Sequence, residues 1–196
     1  NPLTVLKGEA MKVEKSPFVC IFPSPVVLVT CSSLDGRSNI ITLAWAANIC
    51  TKPPTVALGI RPERYSYKLI EETKEFVVNI PSKKLLRQVD FCGMASGKDV
   101  DKFKLTKLTP EPSTKVKPPL IKECPVNAEC ILKQKIVVGV HDLFLGEIVV
   151  VHVDQEVLNE KGRIEYAKVM PIAYNLGEYW SLSERIGSHG FTEGKI

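Results

Sequence analysis

The 196-residue sequence predicts a mainly β protein, a barrel with short helices and loop excursions. Three observations predict this fold class. β-Branched residues cluster in many short runs separated by Gly, Pro and Asp, which is typical of strands. Only two modest segments have the apolar spacing of a helix, and strands and helices do not alternate regularly. No G-x-G-x-x-G segment follows a predicted strand, which argues against a Rossmann fold.

The strands are predicted from runs of apolar and β-branched residues. They lie at 26–30, 39–46, 55–60, 76–80, 128–132, 136–141 and 146–154. Asp35-Gly36 predicts a hairpin turn between the first two strands, because such turns need positive φ. One helix is predicted with Ser66 as its N-cap, and a second from Ser82 to a terminating Gly93.

The remaining segments are predicted as connections within one domain that spans residues 1–196. Residues 96–103 form a loop leading into a short helix, and five prolines make 109–125 an extended surface connection. The tail from 170 to 196 is expected to be a loop packed on the barrel. The core of the domain covers about 15–182, and 183–196 is its C-terminal tail.

Composition excludes several classes of protein. The net charge of +4 is spread as single lysines among acidic residues, so no nucleic-acid partner is expected. No apolar run is long enough to span a membrane, and no apolar signal core is seen at the N-terminus, so a cytoplasmic location is expected.

The six cysteines and three histidines are not spaced as metal ligands, so no metal is expected. Free and mostly buried thiols are expected instead, and we interpret Cys92, Cys124 and Cys130 as structural.

The segment from Arg61 to Tyr67 is the first candidate site. It reads RPERYSY and opens a predicted helix, whose free N–H groups, together with two arginines and a hydroxyl, are suited to a phosphate group. Trp45, at the end of a predicted strand, is suited to flank an aromatic ring. From these residues alone, a capped helix with solvated arginines and a core tryptophan is the favoured interpretation, because helix caps are common.

Six ordered blocks of the sequence resemble the flavin reductase-like, FMN-binding split-barrel family, and most closely its flavoredoxin type. They are SNIITLAW (38–45), TKPPTVALGIRPERYSY (51–67), FVVNIP (76–81), SGKDVDKF (96–103), HDLFLGE (141–147) and PIAYNLGEY (171–179). The resemblance covers about residues 15 to 182. It implies a split β-barrel that binds FMN, acts as an oxidoreductase or electron carrier, and forms a homodimer with FMN near the interface.

The resemblance also implies which residues hold FMN. The phosphate positions are Arg61, Ser66 and Tyr67, with Lys102 nearby. The positions along the ribityl chain and ring are Asn39, Thr42 and Trp45. The positions in the turn beside the polar edge of the ring are Asn48, Cys50 and Thr51. Tyr174 and the catalytic candidate His141 match positions near the isoalloxazine, where a nicotinamide or another electron partner approaches.

The sequence departs from the family pattern at two of these places. Cys50 stands where relatives often have Ser, and a thiol hydrogen-bonds weakly, so a ring contact there would come from the backbone. Gly139-Val140-His141 replaces Gly-Asp-His, which weakens the inference that NADH is the donor. His141 is open to interpretation as a structural strand histidine, and Lys102 as a surface lysine.

Three functions remain open at this point. The first is an NAD(P)H-dependent FMN reductase, or a flavoprotein that reduces another acceptor. The second is a flavoredoxin-like carrier with tightly bound FMN and a protein redox partner. The third, a barrel that binds nucleic acid or protein without flavin, ranks last because no basic strip with interleaved aromatic residues is seen.

Overall fold

The computed structural model describes residues 12–193. Its strands are β1 (Ser24–Pro25), β2 (Val27–Ser32), β3 (Ser38–Leu43), β4 (Ala46–Thr51), β5 (Pro54–Ile60), β6 (Glu75–Ile80), β7 (Pro110–Glu111), β8 (Leu120–Ile121), β9 (Val126–Val137), β10 (Asp142–Val153), β11 (Ile172–Asn175) and β12 (Glu178–Ser181). Its α-helices are α1 (Tyr65–Thr73), α2 (Leu86–Met94), α3 (Lys102–Thr106) and α4 (Tyr166–Val169). None of the helices in this part of the chain is long and apolar enough to cross a membrane.

Seven strands form one antiparallel sheet in the order β3-β2-β6-β9-β10-β5-β4. The two edge strands, β3 and β4, follow each other in the chain and are joined only by Ala44 and Trp45. Because two residues span less than about 11 Å, the sheet must curl until its edges meet at this point. The Gly59 N–H donates to the Trp45 carbonyl at 2.8 Å across the junction. The edges do not pair along their length, so the predicted split barrel is confirmed.

The interior of the barrel is filled from alternate positions of its strands. Leu58, Phe76 and Phe144 are fully buried there, and one face of α1 closes the same cluster. β2 is buried on both faces, because Val29 points into the barrel while Leu28 packs in a second cluster beneath α2. Of the two helices next to β3, α1 therefore packs on the barrel cluster and α2 packs on the second cluster.

Several predicted boundaries are corrected by the structure. The predicted strand 39–46 ends at Leu43, and the chain then crosses to β4, because the sheet edge turns at this point. The predicted strand 136–141 is wrong, since β9 runs on to Val137 and the next residues form the hairpin loop. The tail was expected to be a loop, but β11 and β12 form a hairpin that pairs with β1. Residues 1–11 and 194–196, including the end of the predicted tail, lie outside the described residues.

The helix termini also differ from the prediction. α1 begins at Tyr65 with Arg64 as its N-cap, so Ser66 lies inside the first turn and is not the cap. Gly93 lies within α2, which ends one residue later. Asp35-Gly36 does mark the β2–β3 hairpin, and Gly36 has a φ of 87°. All six cysteines are free, and four of them are buried, as expected.

The proline-rich connection before β9 is anchored by one buried carboxylate, that of Glu129 on β9. Three successive backbone N–H groups donate to it at 2.7, 2.6 and 3.1 Å: those of Thr114, Lys115 and Val116. His152 Nε2 lies 2.6 Å from the same carboxylate. Burial opposes ionisation of Glu129, but the hydrogen bonds outweigh it and hold the pKa of Glu129 at about 2.

Replacing Glu129 by Gln is expected to lower the free energy of unfolding by about 3 kcal/mol at neutral pH. A carboxyl whose pKa falls from 4.5 to about 2 on folding stabilises the protein above pH 4.5. That contribution is lost as the pH falls towards 2, so the difference between wild type and Glu129→Gln should shrink over this window. Urea unfolding at a series of pH values measures it. Glu123→Gln, at an exposed carboxylate, is the control, and a difference that does not depend on pH would contradict the account.

Candidate functional site

A groove with a volume of about 260 Å³ lies where the edges of the sheet meet. The end of β3, the connection to β4 and the end of β5 form one wall, and α2 and the β11–β12 hairpin form the other. The residues that line it are Val26, Ile41, Thr42, Leu43, Ala44, Trp45, Gly59, Arg61, Arg64, Asp90, Gly93, Met94, His141, Tyr174 and Tyr179. The same short connection that closes the barrel therefore also forms part of this wall.

Aromatic rings dominate one end of the groove. Trp45 stacks on His141 with 5.9 Å between ring centroids and 21° between planes, and Tyr174 lies 6.3 Å away at a tilt. Tyr179 packs edge-on against Tyr174 at 5.9 Å. Trp45 fits closely over β5, because a Cβ on Gly59 would lie 2.9 Å from the Trp45 Cβ. This end is suited to hold a flat ring.

A second, smaller cavity of about 120 Å³ continues from the other end of the groove. Ile41, Arg64 and Gly93 line both cavities, so the two cavities adjoin each other. The N-terminal turn of α1 contributes Ser66 to the smaller cavity, and the loop before α3 contributes Gly97. We call this smaller cavity the anion pocket, because a buried lysine, Lys102, lines it.

Lys102 lines the anion pocket, and the residue is only 4% exposed. Its Nζ donates to the carbonyls of Ile40 and Cys92, both at 2.7 Å, which uses two of its three protons. None of the ion pairs within residues 12–193 includes Lys102. Burial lowers the pKa of Lys102, and a buried charge without an opposite charge is costly. An anion in this cavity would balance it.

Two side chains shape the pocket around Lys102. Asn39, on β3, donates from its Nδ2 to the Ser66 hydroxyl at 2.8 Å, and both residues are buried. The backbone of Gly97 packs directly on the Asn39 amide, since a Cβ at Gly97 would lie 2.1 Å from its Oδ1. Only glycine allows the loop to close the pocket so tightly.

The structure brings most of the predicted site residues together. Those lining the anion pocket are Asn39, Ser66 and Lys102. Those lining the groove are Thr42, Trp45, Arg61, His141 and Tyr174. Thr42 also donates to the Val89 carbonyl at 2.6 Å, which ties β3 to α2. Arg61 lies on the aromatic groove, paired with Glu63 at 3.4 Å, rather than in the anion pocket.

Four predicted residues lie outside both cavities. The Tyr67 side chain points away from the anion pocket, because its hydroxyl donates to Asp142 at 2.5 Å. Asn48, Cys50 and Thr51 are exposed on the edge strand β4, and the Cys50 thiol donates to the Lys52 carbonyl at 3.3 Å. Contacts from β4 to the polar edge of a ring stay a prediction.

The resemblance does not assign several residues that the structure places in the site. Arg64 is part of the RPERYSY segment, and its position at the start of a predicted helix could have indicated a place in the anion pocket. Asp90 and Tyr179 line the groove, joined by a hydrogen bond of 3.1 Å from the Tyr179 hydroxyl. They are 89 residues apart in the chain, and no local pattern points to their contact.

Comparison with known proteins agrees with the split-barrel fold. The sequence profile of the flavin reductase like domain matches residues 19–183. A protein of Archaeoglobus fulgidus is 35% identical over 149 residues, which are 76% of this chain and 84% of the relative. The flavoredoxin of Desulfovibrio vulgaris (Miyazaki F) has a similar structure, with a TM-score of 0.88 and 34% identity over 94% of this chain and all of that one. A flavoredoxin of Methanosarcina acetivorans follows, with a TM-score of 0.86 and 28% identity over 95% and 98% of the two chains.

His141 and Arg61 share one wall of the groove, and this predicts a measurable coupling. Burial lowers the pKa of His141, and the positive charge of Arg61 lowers it further. Arg61→Gln removes the charge, so the pKa of His141 should rise towards 6.5, which an NMR titration of the imidazole protons measures. Arg37→Gln, in the exposed β2–β3 loop, is the control. An unchanged His141 titration in Arg61→Gln would show that this charge does not reach the imidazole.

Proposed function

This chain belongs to the flavin reductase like domain family, and from that premise we propose that it binds FMN and passes electrons through it. The observation that carries the proposal is the buried ammonium of Lys102, which has no carboxylate partner among residues 12–193 and faces a cavity at the end of an aromatic groove. A ligand with an anionic end and a flat ring matches both ends of that site. The bonds from Lys102 to the Ile40 and Cys92 carbonyls tie α3 to β3 and α2, but they leave its positive charge without a carboxylate partner in the described part of the chain.

The donors in the anion pocket fit a phosphate group. Lys102, Arg64 and the first turn of α1 line the cavity, and each supplies positive charge or a partial positive charge to it. At about 120 Å³ the pocket has room for a terminal phosphate.

The groove between the two ends fits the rest of the cofactor. Thr42 and Gly93 line the stretch next to the anion pocket, where the ribityl chain would lie, and Trp45 and Tyr174 form the walls for the ring. When bound, FMN would supply the redox chemistry, as acceptor and donor of a hydride or of single electrons. The task of the protein is to place the ring and to exclude water from one of its faces.

Charge near the ring end supports electron transfer. The Arg61 guanidinium lies on the groove wall, where a positive charge stabilises negative charge on a reduced ring. His141 has a lowered pKa, so its imidazole is neutral over more of the physiological range and is able to pack against a flat partner. We therefore propose that His141 lies where the electron donor or acceptor approaches.

A homodimer is part of the proposal. Asn48, Cys50 and Thr51 are exposed on the outer edge of the sheet, next to Ile49, whose apolar side chain is 51% exposed. A second chain against β4 would cover Ile49 and would bring these polar groups to a ring that extends along the interface. The proposed contacts from β4 therefore depend on the dimer.

The donor distinguishes two forms of the proposal. In the first, NAD(P)H reduces the flavin and the protein is an enzyme. In the second, FMN stays bound and a protein partner exchanges electrons with it. The likeness to the two flavoredoxins supports the carrier, as does valine at position 140 before His141.

Purified protein mixed with FMN is expected to keep its yellow colour through dialysis if it is a carrier, and to lose the colour if it releases FMN as an exchanging reductase. Visible absorption spectra before and after dialysis measure retention, and addition of NADH or NADPH then tests the donor. Bovine serum albumin treated in the same way is the control for nonspecific binding. Protein that binds no FMN at all before dialysis would refute the proposed function.

Lys102→Met should weaken FMN binding by about 10- to 100-fold, because a hydrogen bond to a charged group contributes about 1.5–3 kcal/mol. Riboflavin lacks the phosphate, so its affinity should not change. Lys104→Met, on the exposed side of the same helix, is the matched control. Parallel titrations with Arg61→Ala and Arg64→Ala show which arginine faces the phosphate. If Lys102→Met lost affinity for FMN and for riboflavin to the same extent, the phosphate would not lie beside Lys102.

A further inference from the structure

We propose that Asp142 is a positioning residue, whose hydrogen bond with Tyr67 holds His141 against Trp45 at the aromatic end of the groove. Asp142 lies in the HDLFLGE block, but the resemblance gives it no role, and it is not among the residues that line the groove. The inference rests on the proposed function for the meaning of His141 at the flavin. Its geometric part is independent of any ligand.

His141 lies in a part of the chain that has little to hold it. It ends the β9–β10 hairpin loop, in which Val138 and Val140 are 71% and 72% exposed. Loops with exposed side chains open easily. Yet the imidazole lies stacked on Trp45 at 5.9 Å. The adjacent residue, Asp142, is anchored: its backbone pairs with Ile60 and Val137, and the residue is only 4% exposed.

The Asp142 carboxylate is held by a directed hydrogen bond. The Tyr67 hydroxyl donates to Asp142 Oδ2 at 2.5 Å and accepts from Lys135 Nζ at 2.9 Å. Lys135 also donates to Glu71 and lies 5.2 Å from the centre of the Tyr67 ring. Because the lysine has only protons to offer, the tyrosine proton must point at Asp142. The bond to Asp142 raises the pKa of Tyr67, which keeps that proton in place.

This bond joins the two ends of the proposed flavin site. Tyr67 follows Ser66, which lines the anion pocket, and Asp142 follows His141, which lines the aromatic groove. Asp142 also pairs with Ile60, the residue before Arg61. One buried hydrogen bond therefore fixes the start of β10 against the start of α1, and with it the spacing between the two ends.

The test uses the imidazole signals of His141 in the flavin-free protein. Stacking on the Trp45 ring shifts the carbon-bound protons of His141 upfield, and His141→Gln identifies these signals by their loss. Tyr67→Phe removes the donor, Asp142→Ala removes the acceptor, and Asp142→Asn keeps an oxygen that accepts the bond. Glu71→Gln is the matched control, since it disturbs the same cluster and leaves the Tyr67–Asp142 bond intact.

The ring-current shift of His141 should be lost in Tyr67→Phe and Asp142→Ala, restored in Asp142→Asn and retained in Glu71→Gln. His152, bound to Glu129 far along β10, is the internal control and should not move in any variant that folds. Should Asp142→Ala fail to fold, Tyr67→Phe decides alone. A His141 signal that is unchanged in folded Tyr67→Phe overturns the proposal, and so does the same change in Glu71→Gln.

Titrations with FMN and with riboflavin distinguish a failure of this inference from a failure of the proposed function. Tyr67→Phe should weaken the binding of FMN and the binding of riboflavin by the same factor, at least about threefold, because it disturbs the aromatic end of the groove, where the ring of either flavin would lie. This differs from Lys102→Met, which should affect FMN alone. Loss of FMN affinity with riboflavin unchanged in Tyr67→Phe would overturn the positioning role. If wild type bound neither flavin, the proposed function would fail, while the histidine signals would still decide where Asp142 acts.

Discussion

The two-residue connection between the edge strands of the seven-stranded sheet is the constraint on which the rest of the molecule depends. Ala44 and Trp45 join β3 to β4, and no chain of that length can link strands at opposite sides of an open sheet. The sheet must therefore curl. Because β3 and β4 meet at the junction but do not pair beyond it, the barrel stays split there, and the groove lies at the split.

Placement at the split explains why the site has two chemically different ends. Trp45 lies on the junction, and Tyr174 from the C-terminal hairpin lies 6.3 Å from it at the aromatic end. The other end is reached by α1 and α3, which pack near β3, the edge strand with an open side. Lys102 extends from α3 under β3 to the Ile40 carbonyl. An aromatic platform and a buried cation are thus brought to one groove by elements that are far apart in sequence.

Electrostatics links this geometry to function. A lysine ammonium that donates to two carbonyls is hydrogen-bonded, but its net charge remains uncompensated in a poorly solvated place. Such an arrangement costs stability unless a ligand anion is present, so it is typical of a binding site rather than of a structural core. Glu129 is a useful contrast. Its buried carboxylate accepts four hydrogen bonds from residues 114–116 and lies beside His152. Its role is to hold the proline-rich connection before β9.

Taken alone, the sequence determined the class of fold, most strands and the short segment at the start of α1, because apolar spacing, turn residues and local motifs act over a few residues. The ordered blocks also indicated the residues of the site. Only the tertiary structure decided which of these residues meet. Lys102 lines one pocket with Asn39 and Ser66. Arg61 lies at the aromatic end instead of in that pocket, and the Tyr67 hydroxyl donates to Asp142. The physical reason is that side-chain partners are chosen by strand register and sheet curvature, and neither is written in any local pattern.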